Sequence, residues 1–124
     1  MPVVRTADNA TFDLKGNTIA SFAAPASGAA ETIMYGLSVP AGNPTPSHRH
    51  DHEEVFHLTE GSLAMELGDE KVDVAAGDTV IIPAGEFHSV SSTGEGEAHL
   101  LCVMPVGTLF IRADGEGAVP PWGE

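Results

Sequence analysis

Side chains able to bind a metal ion are concentrated in the segment Gly42–Gly61, which holds four of the six histidines of the chain. Two of them, His48 and His50, are two residues apart. In an extended strand, alternate side chains project from the same face, about 6–7 Å apart along the backbone. Both imidazoles can therefore reach one ion, and Glu54, four residues after His50, can add a carboxylate oxygen across a tight turn.

A second segment, from Gly77 to His88, ends in a further histidine after a Pro-Ala-Gly turn. Together the two segments resemble the paired motifs of the cupin superfamily. The first motif there is Gly, five residues, His-x-His, three or four residues, Glu, six residues and Gly; the second is Gly, five residues, Pro-x-Gly, two residues and His. This chain matches the first motif without a gap at Gly42, His48, His50, Glu54 and Gly61, and the second at Gly77, Pro83, Gly85 and His88.

The resemblance implies an all-β fold, the cupin double-stranded β-helix or jelly-roll barrel, and a set of metal ligands. The ligands carried over are His48, His50, Glu54 and His88. Three neutral imidazoles and one carboxylate suit a divalent transition metal, and Fe, Mn, Ni, Cu, Co and Zn all remain open. The alternative is a surface cluster of polar side chains on an exposed hairpin. Ser92 stands where the family has Asn, a difference that concerns a turn contact and no ligand.

The composition restricts the domain organisation and the partners. The 124 residues carry 5 Lys and Arg against 18 Asp and Glu, a net charge of −13, which repels phosphate backbones and anionic lipid. Cys102 is the only cysteine, so no internal disulfide exists, and no signal-peptide pattern or membrane-length apolar run is seen. We therefore expect one cytoplasmic domain over residues 1–124, a small-molecule substrate, and no nucleic-acid or membrane partner.

Short strand patterns separated by turns follow the chain, as in a double-sheet barrel. They place N-terminal strands within residues 3–22, the barrel at residues 32–104 and a tail anchored by Trp122 at residues 113–124. Beside the His48–His50 strand, the predicted strands are Val3–Thr6, Ala10–Phe12, Thr18–Phe22, Thr32–Val39, Val55–Thr59, Ser62–Leu67, Lys71–Val74, Thr79–Ile82, Phe87–Ser91, His99–Met104 and Thr108–Arg112. We expect Thr79–Ile82 to be buried because it is apolar. Two segments near the ends of the chain, Val3–Phe12 and Thr108–Arg112, are candidate edge strands that could pair with a second copy in a homodimer.

The remaining polar candidates near the motifs have less specific roles. His52 has the parity of His50 and Glu54 and is a competing ligand, but the family pattern favours a turn position for it. Glu53 is expected to be a solvated turn residue or a partner of Arg49, with an orienting role beside an imidazole as the alternative. Two further histidines lie on strands: by its parity His57 should point away from the metal, and for His99 a pocket role and an edge position both remain open.

Several apolar side chains are candidates for the wall of a pocket above the metal, although each of them is also compatible with an ordinary core position. They are Tyr35, Phe56, Met65, Phe87, Met104 and Phe110. Cys102, between Leu101 and Val103, is predicted to be a buried small hydrophobic residue and not a nucleophile.

The resemblance further implies a small metal-dependent enzyme, and we favour a dioxygenase acting on an enol, a diketone or an aromatic substrate. Glu54 is the candidate general base for the substrate's hydroxyl proton. The alternatives are a non-oxidative isomerase, cyclase or lyase, and a non-catalytic protein that binds a small ligand. No phosphate-binding loop or nucleophile elbow occurs in the sequence, so any catalysis has to depend on the metal.

Overall fold

The computed structural model describes residues 2–124, so Met1 of the expected domain lies outside the described residues. The strands are β1 Thr11–Leu14, β2 Asn17–Ala23, β3 Thr32–Val39, β4 His48–His50, β5 Glu54–Glu60, β6 Ser62–Leu67, β7 Glu70–Ala75, β8 Thr79–Ile82, β9 His88–Ser92, β10 Ala98–Pro105, β11 Phe110–Arg112 and β12 Gly117–Ala118. Three short 3-10 turns cover Thr6–Asp8, Pro25–Ser27 and Pro121–Gly123. None of the helical segments between residues 2 and 124 has the length and hydrophobicity needed to cross a membrane.

The strands form two six-stranded antiparallel sheets. Sheet I has the order β1-β2-β3-β10-β5-β8, and sheet II has the order β12-β11-β4-β9-β6-β7. Strand order jumps between distant parts of the sequence in both sheets, which is the jelly-roll arrangement predicted for the chain. The central strands β3 and β10 alternate buried and partly exposed residues, because successive side chains of a strand point to opposite faces of the sheet.

The core lies between the inner faces of the two sheets. Sheet I contributes Ile33, Leu37, Leu58 and Leu100, and sheet II contributes Leu63, among other buried apolar side chains. Burial of such residues is the main favourable contribution to folding. The polar side chains His48, His50, Glu54 and His88 are buried in the same sandwich.

The sequence predicted the bounds of three strands correctly, two of them inside a sheet and one at its edge. Thr32–Val39, Ser62–Leu67 and Thr79–Ile82 have the predicted bounds. Val3–Thr6 was wrong: residues 2–5 form no strand, and Val3 and Val4 are exposed. A β-branched sequence forms a strand only where its backbone finds a ladder partner, and in sheet I the outer position is already taken by β1.

The expected burial of β8 was also wrong. Ile82 is 2% exposed, but Ile81 is 61% exposed, because β8 is the outermost strand of sheet I and only its inner face packs on the core. At the other end of the chain, β11 is not an edge strand, since β12 pairs with it. Trp122 is buried in the core cluster, as expected of the tail's anchor. The homodimer stays a prediction.

The two neighbouring isoleucines of β8 provide a matched test of which face of this strand is buried. We expect Ile82→Ala to lower the free energy of unfolding by about 2–5 kcal/mol, as for other buried large-to-small changes. Ile81→Ala should change it by less than about 0.5 kcal/mol. Urea unfolding measures both, and equal losses at the two positions would show that the outer face of β8 is covered.

Candidate metal centre

Three histidines meet inside the sandwich because of strand alternation and register. In β4, His48 and His50 point inward while Arg49, between them, is half-buried on the other face. The β4–β9 ladder pairs His48 directly with His88. The ring centroids are 4.3 Å apart for His48 and His88, and 4.9 Å apart for His48 and His50. One nitrogen of each of the three rings lies within 4.8 Å of the others, so the group could hold a metal ion.

Each of the three rings is oriented by a backbone carbonyl oxygen. The Nδ1 atoms lie 2.7 Å from Pro46 O for His48, 2.8 Å from Leu109 O for His50 and 3.1 Å from Glu86 O for His88. A carbonyl oxygen only accepts hydrogen bonds, so each Nδ1 carries the proton. In the neutral ring, Nε2 then presents a lone pair.

Two unpaired nitrogen atoms show that the donor set fits a metal ion. His50 Nε2 and His88 Nε2 are buried and have no hydrogen-bond partner among the described residues. Buried polar atoms are almost always paired, so two orphaned nitrogens at one place need an explanation. Converging imidazole lone pairs whose Nδ1–H groups are held by carbonyls are the arrangement that metal-binding histidines use.

Glu54 begins β5 and lies beside the three imidazoles, fully buried. Its Oε2 accepts a hydrogen bond from the Tyr35 hydroxyl at 3.0 Å and lies 3.2 Å from His50 Nε2. A carboxylate oxygen and an imidazole lone pair repel each other unless a proton or a metal cation lies between them. Glu54 thus lies next to the three-nitrogen group but outside it. Its short contact with His50 Nε2 favours a cation between the two side chains.

The surroundings of the site shift the pKa values of its histidines and of Glu54 in different directions. Burial, reinforced by the nearby His88, lowers the pKa of His48 to about 3, and burial also lowers the pKa of His88. Burial alone would lower the pKa of His50, but the adjacent Glu54 carboxylate raises it above its usual value. Burial alone would raise the pKa of Glu54, but the close approach of His50 and the neighbouring imidazoles hold it below its usual value. At neutral pH, His48 and His88 are neutral and Glu54 is ionised, the protonation states that metal ligands need.

Two further ionisable groups lie in this cavity and stay protonated. Burial is the main reason that the pKa of Tyr35 and the pKa of the Cys102 thiol lie well above their usual values. Tyr35 therefore remains a hydrogen-bond donor to Glu54. Cys102 is buried and free, which confirms its predicted burial, and its unionised thiol is a poor nucleophile.

The apolar wall of the site contains some of the predicted residues and excludes others. Tyr35, Phe56 and Phe110 line the cavity, and Phe110 stacks on His48 with ring centroids 4.0 Å apart. The other three candidates do not line it. Met65 and Met104 are ordinary core residues. Phe87 is at the surface beneath the Arg49 guanidinium, because it precedes the inward-facing His88 and points the opposite way.

The three other histidines lie outside the site. His52 is exposed beside Asp51, with 3.0 Å between Nδ1 and Oδ1, which confirms the favoured turn position. His57 is exposed and pairs with Thr79, so it points away from the three imidazoles as predicted. His99 is half-exposed on the outer face of β10, with its Nδ1 3.0 Å from Ser38 Oγ. The structure places it near the start of a central strand of sheet I and outside the cavity.

Two contacts of the site were missed by the sequence reasoning. Tyr35 was expected to line a pocket but not to hold Glu54, and Asp51 was not singled out. Asp51 Oδ1 accepts the Leu109 backbone N–H at 2.8 Å, and Leu109 O in turn receives the His50 Nδ1–H.

Glu53 is exposed, which agrees with its expected position on the turn. Ser92 Oγ donates to Gly96 O at 2.8 Å, so a turn contact persists where the family has Asn.

Proteins with known sequences resemble this chain over its central part. The Uncharacterized protein MJ1618 of Methanocaldococcus jannaschii is 37% identical over 65 residues, which is 52% of this chain and 52% of that protein. Auxin-binding protein 1 of Arabidopsis thaliana is 31% identical over 84 residues, 59% of this chain and 42% of that protein. The chain therefore spans about half the length of the curated relatives it matches.

Solved structures extend the similarity to most of the fold. The polyketide cyclase RemF of Streptomyces resistomycificus superposes with a TM-score of 0.76, covering 87% of this chain and 81% of that chain at 24% sequence identity. A likeness at this identity shows the shared fold. The family model of the cupin domain matches residues 37–104, which include all three imidazoles and Glu54. On that match, over more than half of its length, the chain belongs to the cupin family.

Proposed function

We propose that this protein is a metal-dependent enzyme that removes a proton from a small, enolisable substrate. The observation that carries the proposal is the buried group of three converging imidazole nitrogens with an ionised carboxylate beside it. His48, His50, His88 and Glu54 would hold the ion. A divalent transition metal bound there supplies Lewis acidity to a substrate oxygen.

Glu54 is the residue to which we assign the proton transfer. Its pKa lies below the usual value because the surrounding imidazoles outweigh the effect of burial, so the carboxylate is ionised at neutral pH, the form that a general base needs. The Tyr35 hydroxyl holds Oε2 at 3.0 Å, which leaves Oε1 as the oxygen assigned to the substrate's hydroxyl proton. The apolar wall of Phe56 and Phe110 limits water around this pair and strengthens its electrostatic interactions.

Within this class we favour dioxygenation of an enol, a diketone or an aromatic substrate. Loss of the hydroxyl proton to Glu54 leaves an electron-rich enolate or phenolate, the form of the substrate that reacts with dioxygen. A small apolar cavity suits such chemistry because it keeps water from the deprotonated substrate.

A non-oxidative cyclisation or isomerisation is the second candidate. It is favoured by the extent of the structural likeness to RemF, which is described as a polyketide cyclase. The same removal of a proton by Glu54 would begin this reaction, and no dioxygen would be consumed.

Substitution of the histidines tests the metal site. We expect His48→Ala, His50→Ala and His88→Ala each to weaken zinc binding by more than about 100-fold, above the effect of losing a group that only orients a ligand. His52→Ala should leave zinc affinity unchanged, because its side chain is exposed on the turn. Isothermal titration calorimetry measures all four, and an equal loss in His52→Ala would place the metal elsewhere.

Substitution of the carboxylate tests the proton transfer. Glu54→Gln should lower turnover by about 10²–10⁴-fold, the usual contribution of a general base, because an amide cannot accept the proton. The matched control is Glu53→Gln, which changes an exposed carboxylate one residue away and should retain full activity. Turnover is measured on a panel of diketones, flavonols and catechols with the iron- or nickel-loaded protein; a Glu54→Gln enzyme as active as the wild type contradicts the assignment.

The presence or absence of dioxygen separates the two candidate reactions. For a dioxygenase, product formation in the same panel stops under strict anaerobiosis and one dioxygen is consumed per product in air. Unchanged turnover without dioxygen would refute dioxygenation and support the cyclase or isomerase.

A further inference from the structure

The cavity at the three imidazoles is too small for an organic substrate. Its volume is about 30 Å³, room for about two water molecules, since one needs about 10–15 Å³. Sites that take organic ligands usually enclose about 300–1,000 Å³. A ligand larger than a few atoms therefore reaches the imidazoles only if part of the wall moves, and this inference rests on the proposed function in so far as that cavity is the substrate site.

Most of the wall is held by backbone ladders and moves only with a sheet. Tyr35, Phe56 and Leu100 belong to the paired central strands of sheet I, and Val90 belongs to a paired strand of sheet II. Displacing any of them breaks several backbone hydrogen bonds at once. Trp122 differs, because it lies in the 3-10 turn Pro121–Gly123, outside both sheets.

The turn that carries Trp122 is fastened to the rest of the fold at few points. Its backbone hydrogen bonds are internal, Gly123 N to Pro120 O and Glu124 N to Pro121 O, and among the described residues the next backbone bond to another element is Ala26 N to Glu124 O at 3.0 Å. Both prolines lack an N–H. The segment is therefore held mainly by side-chain packing.

The packing of Trp122 is tight but includes no hydrogen bond. Its ring is 5% exposed, with centroids 6.0 Å from those of Tyr35 and Phe110 and 6.4 Å from that of Phe12. Its indole Nε1–H is buried and finds no acceptor among residues 2–124. A buried donor without a partner favours the exposed state, where water accepts the hydrogen bond.

A second, more open cavity is lined by the same side chain. This groove has a volume of about 440 Å³, and Trp122, Phe110 and Leu14 line both it and the smaller cavity at the imidazoles. Of these three, Phe110 is fixed in the β11 ladder and stacked on His48, and Leu14 is paired in β1. Trp122 is thus the part of the shared wall that moves most easily.

We propose that Trp122 determines which ligands reach the imidazoles: it closes the cavity to organic molecules, and its displacement joins the cavity to the groove between β1 and the C-terminal segment. Ligands of one to three atoms bind without this movement. Ring-sized ligands bind only when the indole has moved out.

Chemical modification of histidines tests the proposal without any metal. Diethylpyrocarbonate transfers its ethoxycarbonyl group to an unprotonated imidazole nitrogen, with loss of the ring proton and release of ethanol and CO₂. We expect His48, His50 and His88 to react slowly in the wild type and at least about tenfold faster in Trp122→Ala, because the local opening is then not needed. The exposed His52 and His57 and the half-exposed His99 serve as internal standards whose rates stay unchanged, and peptide mass spectrometry reads all six.

A second core variant separates local access from general loosening. Leu63 is buried in the core but does not line the cavity, so Leu63→Ala destabilises the fold and should leave the three buried histidines protected. Equal acceleration in both variants, or none in Trp122→Ala, would overturn the proposal.

The wild-type protein provides a measurement that does not depend on any variant folding. Trp122 is the only tryptophan, so intrinsic fluorescence reports on this ring alone. In zinc-loaded protein, saturating acetohydroxamate should increase acrylamide quenching by at least about threefold and shift the emission to longer wavelength, as the ring becomes exposed in the bound population. Azide should do neither. If acetohydroxamate binds the zinc protein while the emission stays constant, the role of Trp122 is refuted and the metal site is retained. If the protein fails to bind zinc, the proposed function is refuted, and the histidine modification still decides the role of Trp122.

Discussion

The arrangement of the site depends on three hydrogen bonds from imidazole Nδ1–H groups to backbone carbonyl oxygens. Each bond fixes the proton on Nδ1 and aims the Nε2 lone pair into the same small space. For His48 and His88, the carbonyl belongs to the residue two positions earlier, Pro46 or Glu86, so the local backbone that delivers each histidine also orients it. For His50 the carbonyl belongs to Leu109, so its orientation depends on the loop before β11, much later in the chain.

The fold could be predicted from sequence where its signals are local. Side-chain alternation and flanking turns predicted Thr32–Val39 and Ser62–Leu67 with their observed bounds. The glycines and the proline identified the two motifs that contain the histidines of the site. The position of a strand within a sheet is not a local property. The apolar sequence of β8 therefore suggested burial on both faces, although its place at the edge of sheet I leaves Ile81 exposed, and Val3–Thr6 had strand-forming residues but no ladder to join.

The candidate site, too, could be predicted only where its signals are local in the sequence. The positions of His48, His50 and His88 on one inner surface were accessible from parity and motif spacing. The Tyr35–Glu54 and His50–Leu109 hydrogen bonds join residues 19 and 59 positions apart, and no pattern in the sequence pairs them. The same limit applies to the pocket wall: Phe110 and Met104 are equally apolar in sequence, but only the three-dimensional packing places one against an imidazole and the other in the core.

The region shared with the family, residues 37–104, supplies every imidazole donor, yet four residues that touch or cover the centre lie outside it: Tyr35, Leu109, Phe110 and Trp122. The donor set and its surroundings are therefore encoded in separate stretches of the chain. With such a division, changes in the flanks would alter how the donors are held and what is admitted to them without altering the imidazoles themselves.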